Sequence, residues 1–184
     1  MRLSYCLTVN SKHQPMNKID VIDNNEVWLD ISLTQQHCWL RQADDVLFDA
    51  PVSTALNGPG EQNGSGCTPR GWHKIRAKIG NNQPINSVFV GRRPTAEIFN
   101  DALKAQFPNR DWILTRILWL SGLEVGKNRL GNVDTMRRYI YIHGCPDELP
   151  MGEALSHGCV RMRNQDVVTL FDRVDAGLKV WIHE

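Results

Sequence analysis

Ser156-His157-Gly158-Cys159-Val160-Arg161-Met162 is the stretch on which the reading of this chain turns. Ahead of it lies Tyr139-Ile140-Tyr141-Ile142-His143-Gly144, an apolar, β-favouring run that delivers a second histidine. A thiol, two imidazoles, two glycines and a guanidinium thus fall within about twenty residues. That inventory suits acyl transfer by cysteine. The thiolate is the attacking species, and a thiol is barely ionised at neutral pH, so it needs a neighbouring imidazole to take its proton. Glycine beside the nucleophile lets a carbonyl approach the main chain, whose N–H groups can hold a developing oxyanion. Arginine two residues on offers a planar fork of donors to a carboxylate or carbonyl.

His143-Gly144 followed by Ser156 to Met162 resembles the active-site signature of the L,D-transpeptidase catalytic domain family. Thr115 to Glu124, Asp134-Thr135 and Arg138 to Gly144 are similar to the segment before the signature in proteobacterial members. Pro51-Val52-Ser53-Thr54 and Thr68-Pro69-Arg70-Gly71 are similar to the family's earlier landmarks, so the resemblance runs from Val27 to Ile182. It implies a mostly β, sandwich-like domain with one or two short helices. It implies Cys159 as nucleophile and His143, not His157, as general base, with the Gly144 carbonyl orienting the ring where a serine protease uses a carboxylate. Main-chain N–H groups of Gly158 and Cys159 are the expected oxyanion donors. Ser156 and His157 are expected to hydrogen-bond around the site. Arg161 is expected to hold a carboxylate or carbonyl of the peptide, the alternative being a structural ion pair. Tyr141 is expected either in the cleft or, as strand aromatics usually are, in the core.

The reaction that the resemblance implies needs no cofactor and no metal. Its substrate is a peptidoglycan tetrapeptide or muropeptide, cut between the L-centre of meso-diaminopimelate and terminal D-Ala through a thioester on Cys159. Water as acceptor gives a tripeptide (an L,D-carboxypeptidase in muropeptide recycling), the outcome that a cytosolic address favours; the alternative, an amine of another stem peptide, gives a cross-link. The resemblance also implies acylation of the cysteine by carbapenems.

Bulk properties narrow the field. Hydrophobic residues at 41%, charged residues at 22% and a net charge of +1 describe an ordinary globular chain with no global attraction to nucleic acid or anionic membrane. Arg92-Arg93 and Arg137-Arg138 are too short for a nucleic-acid patch and read as solvated surface or pocket rim. No apolar run approaches the roughly 18 residues of a membrane-spanning helix. Residues 1–25 read as a polar N-terminal segment and 26–184 as the catalytic domain. Leu3 to Val9 lacks the apolar core of an export leader, which points to the cytosol; family members usually work on the wall outside the membrane, and the periplasm follows if a leader has been removed. Five scattered cysteines, at 6, 38, 67, 145 and 159, form no disulfide framework and suit a reducing compartment; Cys6, Cys38 and Cys67 read as packing or loop residues.

Along the chain, Val27, Leu29, Ile31 and Leu33 alternate with Trp28, Asp30 and Ser32, the period of a half-buried strand. Gln36 to Arg41, Val46 to Leu56, Trp72 to Ile79 and Ile85 to Val90 continue a meander, broken by the glycine-rich stretch 57–71. Pro94 to Pro108 predicts a helix with Ile98, Ala102, Leu103 and Phe107 on one face. Trp112 to Leu123 predicts one bent strand or a pair. Asn164 predicts the cap of a helix over 165–174, and Leu178 to Ile182 a closing strand.

Two other readings use the same residues. The repeated tripeptides His143-Gly144-Cys145 and His157-Gly158-Cys159 could hold zinc, although His-x-Cys is not the usual spacing. A module that binds wall peptide without turnover is the other. Asp147 and Glu148 read as solvated loop charges, and a Cys145–Cys159 disulfide would need the two Cα atoms within about 7 Å.

Overall fold

The computed structural model describes residue 23 and residues 25–184; Cys6 and most of the expected segment 1–25 lie outside the described residues. The alternating runs form ten strands: β1 (Val27–Ser32), β2 (His37–Gln42), β3 (Asp45–Pro51), β4 (Gly71–Ile79), β5 (Ser87–Val90), β6 (Arg93–Ile98), β7 (Ile113–Gly122), β8 (Tyr141–Gly144), β9 (Val160–Met162) and β10 (Lys179–His183). Two helices complete them, α1 (Asp101–Gln106) and α2 (Asn164–Arg173). The strands hydrogen-bond in the order β3-β2-β1-β10-β4-β7-β5-β6, with β8 also on β7 and β9 on β8. β1–β10 and β8–β9 run parallel; the remaining pairs are antiparallel.

A bridge then closes the circuit. Just past β3, Ser53 N–H donates to Arg161 O and Arg161 N–H donates to Ser53 O, both at 2.9 Å. The sheet therefore wraps round one core, built from Leu29, Leu40, Ile75, Leu118, Ile142 and Val180, with Leu170 and Phe171 of α2 packed into it. This is the sandwich-like, mostly β architecture expected. Among the described residues no helix is long and apolar enough to cross a membrane.

Three local expectations are corrected. β1 is buried on both faces: Leu29 and Ile31 enter the core, while Trp28 lies 6.0 Å from the Trp72 ring, which in turn lies 4.8 Å from Trp181. The helix expected over 94–108 is mostly strand. Val90 pairs with Arg93, leaving Gly91-Arg92 as a two-residue hairpin turn, both at positive φ (+55° and +67°). β6 has no second partner strand, so Pro94 sits where a missing N–H is tolerated. Only Asp101–Gln106 is helical, capped by Asn100 Oδ1, which accepts from Leu103 N–H at 2.9 Å. Asn164 does not cap α2. It is buried, and its amide donates to Cys145 O at 2.9 Å and Asp147 Oδ1 at 3.1 Å while its oxygen accepts from the Thr115 hydroxyl. α2 is thereby tied to β7 and to the loop after β8.

Candidate active site

Ile142 and Val160 pair in register and both belong to the core. Alternation therefore sends Tyr141 and His143 of β8, and Arg161 of β9 with Cys159 just ahead of that strand, to the opposite face. Cys159 lies beside Tyr141, and His143 is two residues further along. From strand spacing and rise, the Cα atoms of Cys159 and His143 are roughly 8 Å apart, a gap that a thiol and an imidazole reaching toward each other can close.

The turn that presents Cys159 is held from below. Gly158 has φ +127°, and a Cβ there would lie 3.3 Å from Cys67 O and from Ile140 Cδ1. Ser156 Oγ donates to Cys159 O at 2.5 Å and accepts from Gly158 N–H at 3.2 Å. Thr68 Oγ1 donates to Gly158 O at 3.0 Å and accepts from Ala55 N–H at 3.0 Å. Arg138 is half-buried rather than a solvated surface charge: it donates to Gly60 O, Glu61 O and Cys67 O, fastening the glycine-rich loop against this turn. The Pro51–Thr54 and Thr68 landmarks thus have a physical role, since both segments brace the backbone on either side of Cys159. Of the two expected oxyanion donors, Gly158 N–H is already engaged by Ser156; Cys159 N–H has no acceptor among the described residues.

Cys159 Sγ accepts from Tyr141 N–H at 3.4 Å and donates to Tyr139 O at 3.6 Å. Burial pushes the thiol up to about 12. His143 is 1% exposed, and burial pushes its imidazole down to about 4, against the Gly144 hydrogen bond and the Asp111 charge, which favour protonation. Its Nδ1 lies 2.8 Å from Gly144 O. A carbonyl can only accept, so the proton sits on Nδ1 and the lone pair on Nε2. Gly144 must be glycine for this: a Cβ would fall 2.5 Å from Asn164 Oδ1 and 2.8 Å from Leu114 O. The resting pair is neutral thiol and neutral imidazole, and no hydrogen bond joins them among the described residues.

Arg161 takes the ion-pair alternative. It is 8% exposed, and its Nη2 donates to Asp111 Oδ1 at 2.7 Å and its Nη1 to Leu155 O at 3.2 Å. Asp111 also lies 3.6 Å from His157 Nδ1. Burial acts to raise the Asp111 carboxyl, but the charges of Arg161, His143 and His157 outweigh it and hold the group below its usual range. Sequence reasoning missed Asp111, a single acid in a loop with no motif around it. A cleft of about 240 Å³ opens here, lined by Lys104, Arg110, Asp111, Glu148, His157 and Arg161 among others. Glu148, expected as solvated, pairs with Lys104 at 2.5 Å across this cleft's rim.

On the other side of the sulfur, Tyr141 packs with Phe89 and Ile117, and its hydroxyl accepts from Arg92 Nη1 at 3.0 Å. The Arg92 guanidinium lies 4.6 Å above the Trp119 ring and 4.9 Å above Tyr139. Cys145 Sγ points to Met162 O at 3.5 Å, at the far end of the β8–β9 pair from Cys159. Four residues of rise separate the two cysteines by more than about 10 Å, beyond the reach of a disulfide. The two His-x-Cys tripeptides do not converge either, and among the described residues no group of three or more His, Cys, Asp or Glu could hold a metal ion.

Comparison with known proteins places the chain in a family. The family model for the L,D-transpeptidase catalytic domain (YkuD) matches residues 26–182. The probable L,D-transpeptidase YbiS of Escherichia coli (strain K12) is 44% identical over 43 residues, 23% of this chain and 14% of its own length. An L,D-transpeptidase from Mycobacterium smegmatis superposes with a TM-score of 0.52 at 16% identity, over 86% of this chain and 59% of that one. L,D-transpeptidase 3 from Mycobacterium tuberculosis, in complex with a faropenem-derived adduct, gives 0.52 at 18% identity, over 86% and 60%. These structural likenesses are likenesses of fold. The chain spans about three-fifths of those solved chains and a much smaller share of the curated relative. The expectation of a cytosolic address gains no support from these relatives. With 26–182 matched and the signature residues gathered on one face of β8 and β9, the chain belongs to the L,D-transpeptidase catalytic domain family.

Proposed function

We propose that this protein opens the bond between the L-centre of meso-diaminopimelate and D-Ala in peptidoglycan tetrapeptides, with water as the favoured acceptor. The observation that carries the reading is the backbone-cradled thiol of Cys159 beside an imidazole whose tautomer is fixed by the Gly144 carbonyl. Because the resting thiol is neutral, His143 Nε2 takes its proton as sulfur attacks the carbonyl carbon. Cys159 N–H faces the developing oxyanion. The carbon–nitrogen bond then breaks, and the D-Ala nitrogen takes the proton from His143, leaving a thioester. Water approaches, His143 removes its proton, and collapse releases the tripeptide and restores the thiol.

One imidazole serves both the leaving amine and the incoming acceptor, so both lie on the His143 side, where the Asp111–Arg161 cleft opens. The acyl half must extend the other way, toward Tyr139, Trp119 and Arg92. Water is favoured because the cleft's volume of about 240 Å³ lies below the roughly 300–1,000 Å³ of drug-sized sites. It suits D-Ala or water better than a second stem peptide.

The test is incubation with a disaccharide-tetrapeptide, read by mass. Tripeptide and D-Ala, lost in Cys159→Ala, support the proposal. Dimers, or exchange with added D-amino acids, shift it to cross-linking. A carbapenem adduct on the wild type and not on Cys159→Ala identifies the acylated sulfur, whereas equal labelling of both rules out Cys159 as nucleophile.

A further inference from the structure

The side of the cleft assigned to the acyl half holds a cation that the reaction does not use. Arg92 stands at the tip of the β5–β6 hairpin with φ +67°, a conformation that costs a non-glycine residue free energy. Tyr139, whose carbonyl receives the Cys159 thiol proton, has φ +57°. The guanidinium is walled by Trp119 and Tyr139 and bonded to the Tyr141 hydroxyl. Among the described residues no carboxylate pairs with it, in contrast to Arg161, Arg110 and Lys104 in the opposite cleft, each of which has one. Tyr139 is 53% exposed, so the wall opens to solvent beside the nucleophile.

Tyr141 spans the distance from sulfur to guanidinium. Its N–H is 3.4 Å from Cys159 Sγ and its hydroxyl 3.0 Å from Arg92. A diamino diacid side chain, three methylenes ending in a second amino-acid centre, has about the length of a tyrosine side chain. With its carbonyl carbon on the sulfur and its leaving nitrogen toward His143, it reaches Arg92 along the Tyr141 ring.

We propose that Arg92 anchors the side-chain carboxylate of the residue acylated on Cys159, and so selects a diamino diacid over lysine at that position. The inference rests on the acyl-transfer reading above. Lysine ends in an ammonium alone, which a guanidinium repels; the diacid offers the carboxylate that a planar fork of N–H donors fits.

Three tetrapeptides, differing only in having meso-diaminopimelate, its side-chain amide or lysine third, test this on wild type, Arg92→Gln and Arg92→Lys. The wild type is expected to favour the diacid by about tenfold or more in kcat/KM. Arg92→Gln should lose about tenfold more on the diacid than on the lysine and amide peptides, mainly in KM, and Arg92→Lys should recover part of that difference. Tryptophan fluorescence and urea unfolding of each variant report that it is folded. Equal losses on all three peptides, or no loss on any, would overturn the anchor. Calorimetric binding of the same peptides in a Cys159→Ala background separates the two claims. Charge-selective binding without turnover in the wild type sinks only the reaction, and turnover without charge selectivity sinks only Arg92.

Discussion

Acidification probes the two neutral imidazoles at the heart of the structure. His73 and His143 are each pushed from 6.5 down to about 4, chiefly by burial. His73 Nδ1 donates to Gly71 O at 2.9 Å and its Nε2 accepts from the Thr135 hydroxyl at 3.0 Å, so both nitrogens are committed to the neutral form. Each folded value lies below the unfolded one, so between 6.5 and about 4 the unfolded chain binds more protons. The contribution to stability is complete above the unfolded value and drains away as pH falls toward the folded one. At ~1.4 kcal/mol per unit, each ring accounts for about 3 kcal/mol and the two together for about 7. Against a usual total of about 5–15 kcal/mol, that loss brings the protein close to unfolding near pH 4. Urea unfolding followed by tryptophan fluorescence, repeated at intervals from about pH 7.5 to 4.5, measures it. The midpoint should fall with a slope approaching two protons at the acid end, and His73→Gln should halve that slope. A midpoint constant between about pH 7 and 5 would refute the buried-neutral assignment. Glu61 and Asp111, held low by their arginine partners, lose their own contribution only at more acid pH.

Because the His143 imidazole is already neutral down to about 4, its proposed role as base predicts a kcat/KM profile level from about pH 6 to 9 and falling only below about pH 5. An acid limb near the ordinary histidine value would show that the ring titrates freely. Gly144→Ala places a methyl against Asn164 Oδ1 and Leu114 O; it should cost about 1–3 kcal/mol in denaturant unfolding. It should also slow carbapenem acylation by about tenfold or more, since the carbonyl that holds Nδ1 must move; an unchanged rate would show that this carbonyl does not position the ring. Mild oxidation followed by peptide mapping should yield no Cys145–Cys159 linkage, and recovery of that linked peptide would contradict the β8–β9 register.

What could be read from the sequence divides by range. The ordered landmarks carried the architecture and the residues brought to one face, because a signature and a strand pattern are local. Burial on the second face of β1 was hidden because Trp28 alternates with Asp30 and Ser32 and so looks like the polar side; the partners that cover it, Trp72 and Trp181, are far along the chain. The apolar spacing over 94–108 fits a helix as well as it fits a hairpin followed by one short helix. Asn100-Asp101 carries the legible start signal, but Pro94 offers a competing one six residues earlier. Asn164 has a capping residue's chemistry, yet tertiary partners on β7 and after β8 take its side chain. Asp111 and Arg92 meet their partners, Arg161 and Tyr141, only once the chain has folded, which no spacing rule reveals.

The Ser53–Arg161 bridge has a bearing on how the molecule comes into being. β9 is three residues long and is held between β8 and a segment more than a hundred positions away. Contacts so distant along the chain form slowly, after local hairpins such as β5–β6. During synthesis the backbone contacts that hold β9 on both sides are therefore incomplete until the two ends of the domain have met. A chain arrested before that step carries the signature without the Ser53–Arg161 contacts that hold it in place.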